Sequence, residues 1–178
     1  FIVDTLEEAE IVKLINNTYR DVTFAFANET ARICRRWGID TSKVIQAANA
    51  GYPRSSVPKP APVGGYCLEK DPFIFIHAAQ KKGHFSELFN QARKTNKEIV
   101  KEIASDITEF LSAQKGAPKD KKIFVLGFAF KGSPPTSDMR GSPTISLVKE
   151  LQKSGYRNIF GFDPLVPKGE IASLGVRT

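Results

Sequence analysis

Cys67 stands in the run Val63-Gly64-Gly65-Tyr66-Cys67-Leu68-Glu69-Lys70-Asp71-Pro72. Two glycines just before a thiol let backbone and substrate approach closely. Asp71 followed by Pro72 reads as a helix N-cap with proline at the first helical position. That places Cys67 near a helix N-terminus and beside Lys70, where the local potential favours thiolate over thiol. Such a setting suits a nucleophile. Cysteine is also among the most buried residue types, so packing is the alternative reading of Cys67 on these grounds alone. Cys34, in Ala31-Arg32-Ile33-Cys34, continues an apolar helical face and reads as packing. Lys13 and Asn17 are four residues apart and so share one helical face. Arg20, Asp21 and Asn28 continue that polar side. An ammonium and an amide one turn apart can hold a water or an oxyanion between them. A solvated stripe opposite the core face has the same spacing.

These groups need elements to position them. Thr5-Leu6-Glu7-Glu8 has capping-box spacing, and an amphipathic pattern then runs from Leu6 to Trp37, with Gly38 as its stop. Asp40 opens a second helix, which Gly51 closes. Residues 52–66 carry Pro53, Pro58, Pro60 and Pro62 and read as a loop. The third helix is predicted over Pro72–Lys82, stopping at Gly83. The fourth is predicted over Ser86–Gln114, stopping at Gly116. The period then changes. Lys122–Gly127 reads as a short buried parallel strand. Ser142-Pro143 opens a helix that Gly155 ends, and Asn158–Phe162 is a second strand. Strand, loop, helix, strand is a βαβ unit. Two strands cannot close a doubly wound sheet, so the α/β part reads as incomplete and the chain as a piece of something longer.

The chain of 178 residues is 41% hydrophobic and 25% charged, an ordinary globular composition. No apolar run approaches the roughly 20 residues of a membrane helix, so no membrane partner is expected. Two cysteines make no disulfide framework, and a reducing cytoplasm is the default compartment. The net charge of +7 is uneven. Residues 1–112 carry 15 Lys and Arg against 14 Asp and Glu, whereas residues 113–178 carry 11 against 5. A compact basic site suits phosphorylated small molecules and also nucleic acid. The basic residues are not interleaved with stacking aromatics, which argues against nucleic acid as a partner. Lys115, Lys119, Lys121 and Lys122 read as solvated linker lysines.

Four motifs then occur in order. They are Glu10 to Arg20 followed by Ala27-Asn28-Glu29; Gly64 to Pro72; Gly127-Phe128-Ala129-Phe130-Lys131; and Asp138-Met139-Arg140-Gly141-Ser142-Pro143. Together they strongly resemble the UDP-glucose/GDP-mannose dehydrogenase family of nucleotide-sugar 6-dehydrogenases, over nearly the whole chain. The resemblance implies a mainly α central domain over residues 1–114, of the 6-phosphogluconate-dehydrogenase-like dimerisation type. It implies that residues 115–178 are the first part of an α/β, Rossmann-like, UDP-binding C-terminal domain. The family's N-terminal NAD-binding domain has no counterpart here, since the chain holds no G-x-G-x-x-G.

By the same resemblance, a UDP-sugar is oxidised at C6 from alcohol to carboxylate with two NAD. Cys67 attacks the aldehyde, and the thiohemiacetal passes its hydride to the second NAD. Lys13 stabilises the oxyanion, with Asn17 as a neutral donor beside it. Asp71 orients Lys13 or the attacking water. Gly64, Gly65 and Tyr66 lie along the sugar, Lys131 near the nucleotide-sugar, and Arg54 reaches a neighbour's site. Lys70 and Arg140 are expected at the cofactor. His77 and His84 match no catalytic position, and no metal site is expected. Tyr66 and Glu69-Lys70 look closer to the glucose-type pattern, while Asn17 to Asp21 looks closer to the N-acetylhexosamine type, so the sugar stays open. The resemblance also implies a homodimer through the first helix, whose apolar face exceeds what a small helical piece buries alone. A non-catalytic dimerisation and sugar-nucleotide-binding module is the competing reading.

Overall fold

The structure, a computed structural model, describes residues 2–178. It divides into two compact units. The first is the chain up to Val63 with Cys67–Ile99, and the second is Gly64–Tyr66 with Val100–Thr178.

In the first unit, α1 (Leu6–Arg36) begins at Thr5 with both halves of the capping box formed. The reciprocal bonds satisfy amide N–H groups that a helix start leaves orphaned. Gly38 takes a positive φ of 67° just past the C-cap Trp37. Asp40 caps α2 (Thr41–Asn49) by accepting from the amides of Ser42 and Lys43. Then come α3 (Tyr66–Lys81) and the start of α4 (Glu87–Ser112). Half of the buried apolar set is small, Ala25, Ala27, Cys34 and Ala92, and half is Ile45, Leu68, Ile76 and Ile99. Cys34 is packing, as its place on the apolar face implied.

One boundary differs from expectation. α3 begins at Tyr66, six residues before Pro72, so Asp71 is no N-cap and Pro72 lies inside the helix. An interior proline removes the i→i−4 hydrogen bond and normally costs about 3 kcal/mol. Here the carbonyl it leaves without a helical donor, that of Leu68, accepts instead from the Arg93 guanidinium at 3.1 Å.

In the second unit, β1 (Lys122–Leu126) and β2 (Asn158–Phe162) pair in parallel, Lys122 opposite Asn158 and Leu126 opposite Phe162. Helix α5 (Pro143–Lys153) crosses between them, and the short α6 (Lys168–Ala172) follows. The core is Phe128, Val148, Leu151, Tyr156, Ile159, Val166, Ile171 and Val176. β1 is not buried on both faces, contrary to its sequence reading. Its residues alternate, and Phe124 and Leu126 are 65% and 70% exposed. The apolar run is continuous, but within this unit only one face of the strand has a partner layer.

Asp163 closes the strand ends. Its carboxylate accepts from the amides of Phe128 (2.7 Å), Ala129 (3.1 Å), Leu165 (2.8 Å) and Val166 (3.1 Å). Burial alone would raise its pKa, but the four N–H donors together hold it down to about 2. A folded pKa below the unfolded value of about 3.9 stabilises above that value and is lost as pH falls toward 2. Asp163→Asn is therefore expected to destabilise at pH 7 by roughly 1–2 kcal/mol. Thermal unfolding across pH should show the gap between wild type and variant closing between about pH 4 and pH 2.

Candidate active site

Helix α1 carries Lys13 and Asn17, and α3 carries Cys67, Lys70 and Asp71, all within the first unit. The structure joins three of these five directly. The Asn17 side-chain amide donates to Asp71 Oδ2 at 2.7 Å, and Lys70 Nζ lies 3.2 Å from Asp71 Oδ1. Asp71 is 2% exposed, so both oxygens of a buried carboxylate are answered, one by an amide and one by an ammonium. Burying a charge is costly unless it is paired and hydrogen-bonded in this way.

Cys67 lies one turn before Asp71, on the same helical face, and is exposed. Because α3 starts earlier than expected, the sulfur sits in the helix's own first turn, where backbone N–H groups have no helical acceptor. Lys13 lies one turn before Asn17 and is exposed. Among the described residues neither the Lys13 nor the Cys67 side chain has a hydrogen-bond partner, so the ammonium and the sulfur do not bond to each other. Asn17, expected as a neutral donor beside Lys13, directs one of its two side-chain N–H groups to Asp71.

Behind this group lies a buried polar cluster of which sequence reading saw only half. Arg93 pairs with Asp21, and Asn96 donates to the Asp21 carbonyl and to its carboxylate, both at 2.8 Å. Asn28 donates to Asn96 Oδ1 and to the Ala61 carbonyl, and accepts from the Ala61 amide, each at 3.0 Å. Burial raises the Asp21 pKa, against which Arg93 and Asn96 act. Asp21 and Asn28 were legible as a polar side of α1. Arg93 and Asn96 were missed, although two polar residues three apart at buried positions of an amphipathic helix are a signal for such a cluster.

The remaining candidates divide. Gly64 and Gly65 lie in the second unit, where the Gly65 amide donates to the Gly141 carbonyl at 3.0 Å. A Cβ on Gly64 would fall 2.4 Å from Pro143 Cδ, and one on Gly65, at φ +91°, 2.8 Å from Phe130. The close approach these glycines permit is thus to Phe130 and Pro143. Lys131 Nζ lies 5.3 Å from the Phe130 ring centroid. Arg140 forks onto Asp138 through Nε and Nη2, which draws the half-buried Asp138 carboxyl down to about 2. Tyr66 is exposed. Arg54 stacks over Tyr52, 5.3 Å from its centroid, rather than joining any of these groups. His77 and His84 are exposed.

Comparison with known proteins decides the family. Residues 7–98 match the model of the UDP-glucose/GDP-mannose dehydrogenase family, central domain, and residues 124–177 match that family's UDP binding domain. The chain belongs to this dehydrogenase family. It is 36% identical over 159 residues to a UDP-N-acetyl-D-mannosamine dehydrogenase of Pyrococcus horikoshii, covering 89% of the chain and 36% of that relative. It is 31% identical over 169 residues to a UDP-N-acetyl-D-glucosamine 6-dehydrogenase of Salmonella typhi, covering 94% of the chain and 39% of that relative. A solved UDP-glucose dehydrogenase from Pyrobaculum islandicum superposes with a TM-score of 0.81 at 27% identity, over 96% of this chain and 39% of that one. The chain therefore spans well under half the length of these relatives. The family match and this structure bear out the mainly helical part and the α/β part read from the sequence. Among the described residues no helix is long and apolar enough to cross a membrane.

Asn17→Ala leaves Asp71 Oδ2 buried without its donor, which is expected to cost about 1–3 kcal/mol. The urea midpoint should fall accordingly with an unchanged slope. Gly64→Ala should destabilise by roughly 1–3 kcal/mol through overpacking against Pro143, read in the same titration.

Proposed function

We propose that the protein carrying this chain is a nucleotide-sugar 6-dehydrogenase that oxidises the C6 alcohol of a UDP-sugar to a uronate through a covalent intermediate on Cys67. The observation that supports it is an exposed thiol in the first turn of α3, one turn from the buried Asn17–Asp71–Lys70 set. The stretch holding them matches the family's central domain. The relatives' names favour a UDP-N-acetylhexosamine as substrate over UDP-glucose.

At the aldehyde stage the Cys67 sulfur adds its electron pair to C6, the C–S bond forms, and the carbonyl pair moves onto oxygen. Lys13, an ammonium with no partner among the described residues, neutralises that oxyanion. Conversion to the thioester removes a hydride and a proton, and NAD is the acceptor the family resemblance calls for, two equivalents over the whole oxidation. Water then adds to the acyl carbon and the C–S bond breaks with its pair returning to sulfur, giving carboxylate, thiol and one proton. Asp71 holds Asn17 and Lys70 in place beside the sulfur and orients the water.

The residues present do not make a dinucleotide site by themselves. The cations assigned to NAD, Lys70 and Arg140, are each already paired with a carboxylate, Asp71 and Asp138. The β1-to-α5 connection runs from Gly127 to Ser142 and is no tight glycine turn. The roles of Cys67 and Lys13 do not depend on where the hydride goes. Lys131 and Tyr66 are assigned to the nucleotide-sugar in the second unit, where residues 124–177 match the UDP binding domain.

A homodimer through α1 belongs to the same proposal. Ile11, Ile15, Tyr19, Phe26 and Ile33 form an exposed stripe at spacings of four and seven along α1. An uncovered apolar stripe of this length marks an interaction surface, and Arg54 would then reach the partner's site. Light scattering at micromolar concentration should give twice the monomer mass, and a monomer would count against it.

Cys67→Ser in the whole protein carrying this chain should stop at the aldehyde stage and release no uronate. Uronate at the wild-type rate from that variant would remove the thioester assignment. A panel of UDP-sugars assayed by NADH absorbance identifies the sugar.

A further inference from the structure

The interior proline of α3 leaves a requirement that no residue of the proposed chemistry meets. A helix with proline at position 72 has no N–H to give the carbonyl of Leu68, the residue next to Cys67. An unanswered buried carbonyl on the turn that carries the sulfur would let that turn unwind. Arg93 Nη1 supplies the bond at 3.1 Å from another helix, 25 residues on. The same nitrogen is fixed by the Asp21 carboxylate, and the guanidinium lies 5.5 Å from the Phe73 ring centroid, on the C-terminal side of the proline. Arg93 therefore grips α3 on both sides of Pro72, and Asp21 with Asn96 holds Arg93. Arg93 itself is 7% exposed, too deep to meet solvent or substrate as an ordinary surface cation.

We propose that Arg93 is a positioning residue for Cys67: it replaces the helical hydrogen bond that Pro72 deletes and so sets the turn of α3 on which the sulfur stands. The catalytic consequence rests on the reading of Cys67 as the nucleophile. The structural consequence does not.

Pro72→Ala gives the test its logic. Alanine restores the N–H that can bond the Leu68 carbonyl, so it makes Arg93 dispensable for that turn and for nothing else. The variants are Asp21→Asn with Arg93→Met, which removes the buried pair together and leaves no orphaned charge, and the same pair with Pro72→Ala added. Pro72→Ala alone is the control and is expected to behave as wild type. Hydrogen exchange, read by mass spectrometry on peptides covering residues 64–76, should be at least about tenfold faster in the double variant and return to within about threefold of wild type in the triple variant. In the whole protein, with NAD and the UDP-sugar that the panel identifies, kcat should fall about tenfold or more with KM little changed, because displacement of a reacting group shows in the chemical step. The triple variant should recover most of that loss.

Loss of exchange protection that Pro72→Ala does not restore overturns the assignment and leaves Arg93 a residue of general stability. Restored exchange without restored kcat overturns the catalytic consequence alone. Wild-type turnover by Cys67→Ser instead overturns the nucleophile reading, and the exchange result still reports on Arg93 and Leu68. Arg93→Lys keeps a cation beside Asp21 but lacks the planar guanidinium that aims Nη1 at both acceptors and lies against Phe73. It carries the same comparison at about threefold if the double variant does not fold. If neither variant folds with or without Pro72→Ala, Arg93 serves folding only and the proposal is overturned.

Discussion

The buried pair of Asp21 and Arg93 is the constraint around which the first unit is arranged. Two charges taken from water demand close mutual geometry and further hydrogen bonds, and these are drawn from every direction. Asn96 answers Asp21 from α4, Leu68 offers its carbonyl from α3, and Asn28 passes the chain of bonds to Ala61 in the proline-rich loop. Apolar packing of Ala25, Ala27 and Ala92 is small and non-directional, and would tolerate a helix sliding along its neighbour. A hydrogen-bonded cluster of this kind does not tolerate it, because a shift of one residue leaves a charge alone in the interior.

Much of the fold could be read from local chemistry. Thr5 and Glu8, Asp40, Gly38 and the change of period after Gly116 place most elements within a residue or two, because caps and glycine stops act over three or four positions. The start of α3 could not be read this way. Asp-Pro is the same dipeptide whether it caps a helix or lies inside one, and what decides between the two is a guanidinium 21 residues beyond Pro72. The burial expected of Phe124 and Leu126 fails for a related reason. A run of apolar residues states what a strand could bury but not how many layers are present to bury it.

The candidate site was legible as an order of chemical types and illegible as a set of partners. Lys and Asn at i and i+4 gave one face of α1, but Cys67 and Asp71 share a helical face only because α3 starts at Tyr66, ahead of the Pro72 start that the sequence predicts. Nothing local says that the amide of Asn17 turns to Asp71, because that depends on a residue 54 positions away. Gly64 and Gly65 show the same limit. Missing side chains announce a close approach, but Phe130 and Pro143 as the approaching groups emerge only from the folded chain.

The two cysteines differ in a way that has a practical use. Cys34 is enclosed in packing and Cys67 stands in solvent, so the native chain is already a single-thiol protein toward a mild maleimide. A fluorophore or spin label would enter at one known position without engineering. Its emission or line shape would then report on the first turn of α3.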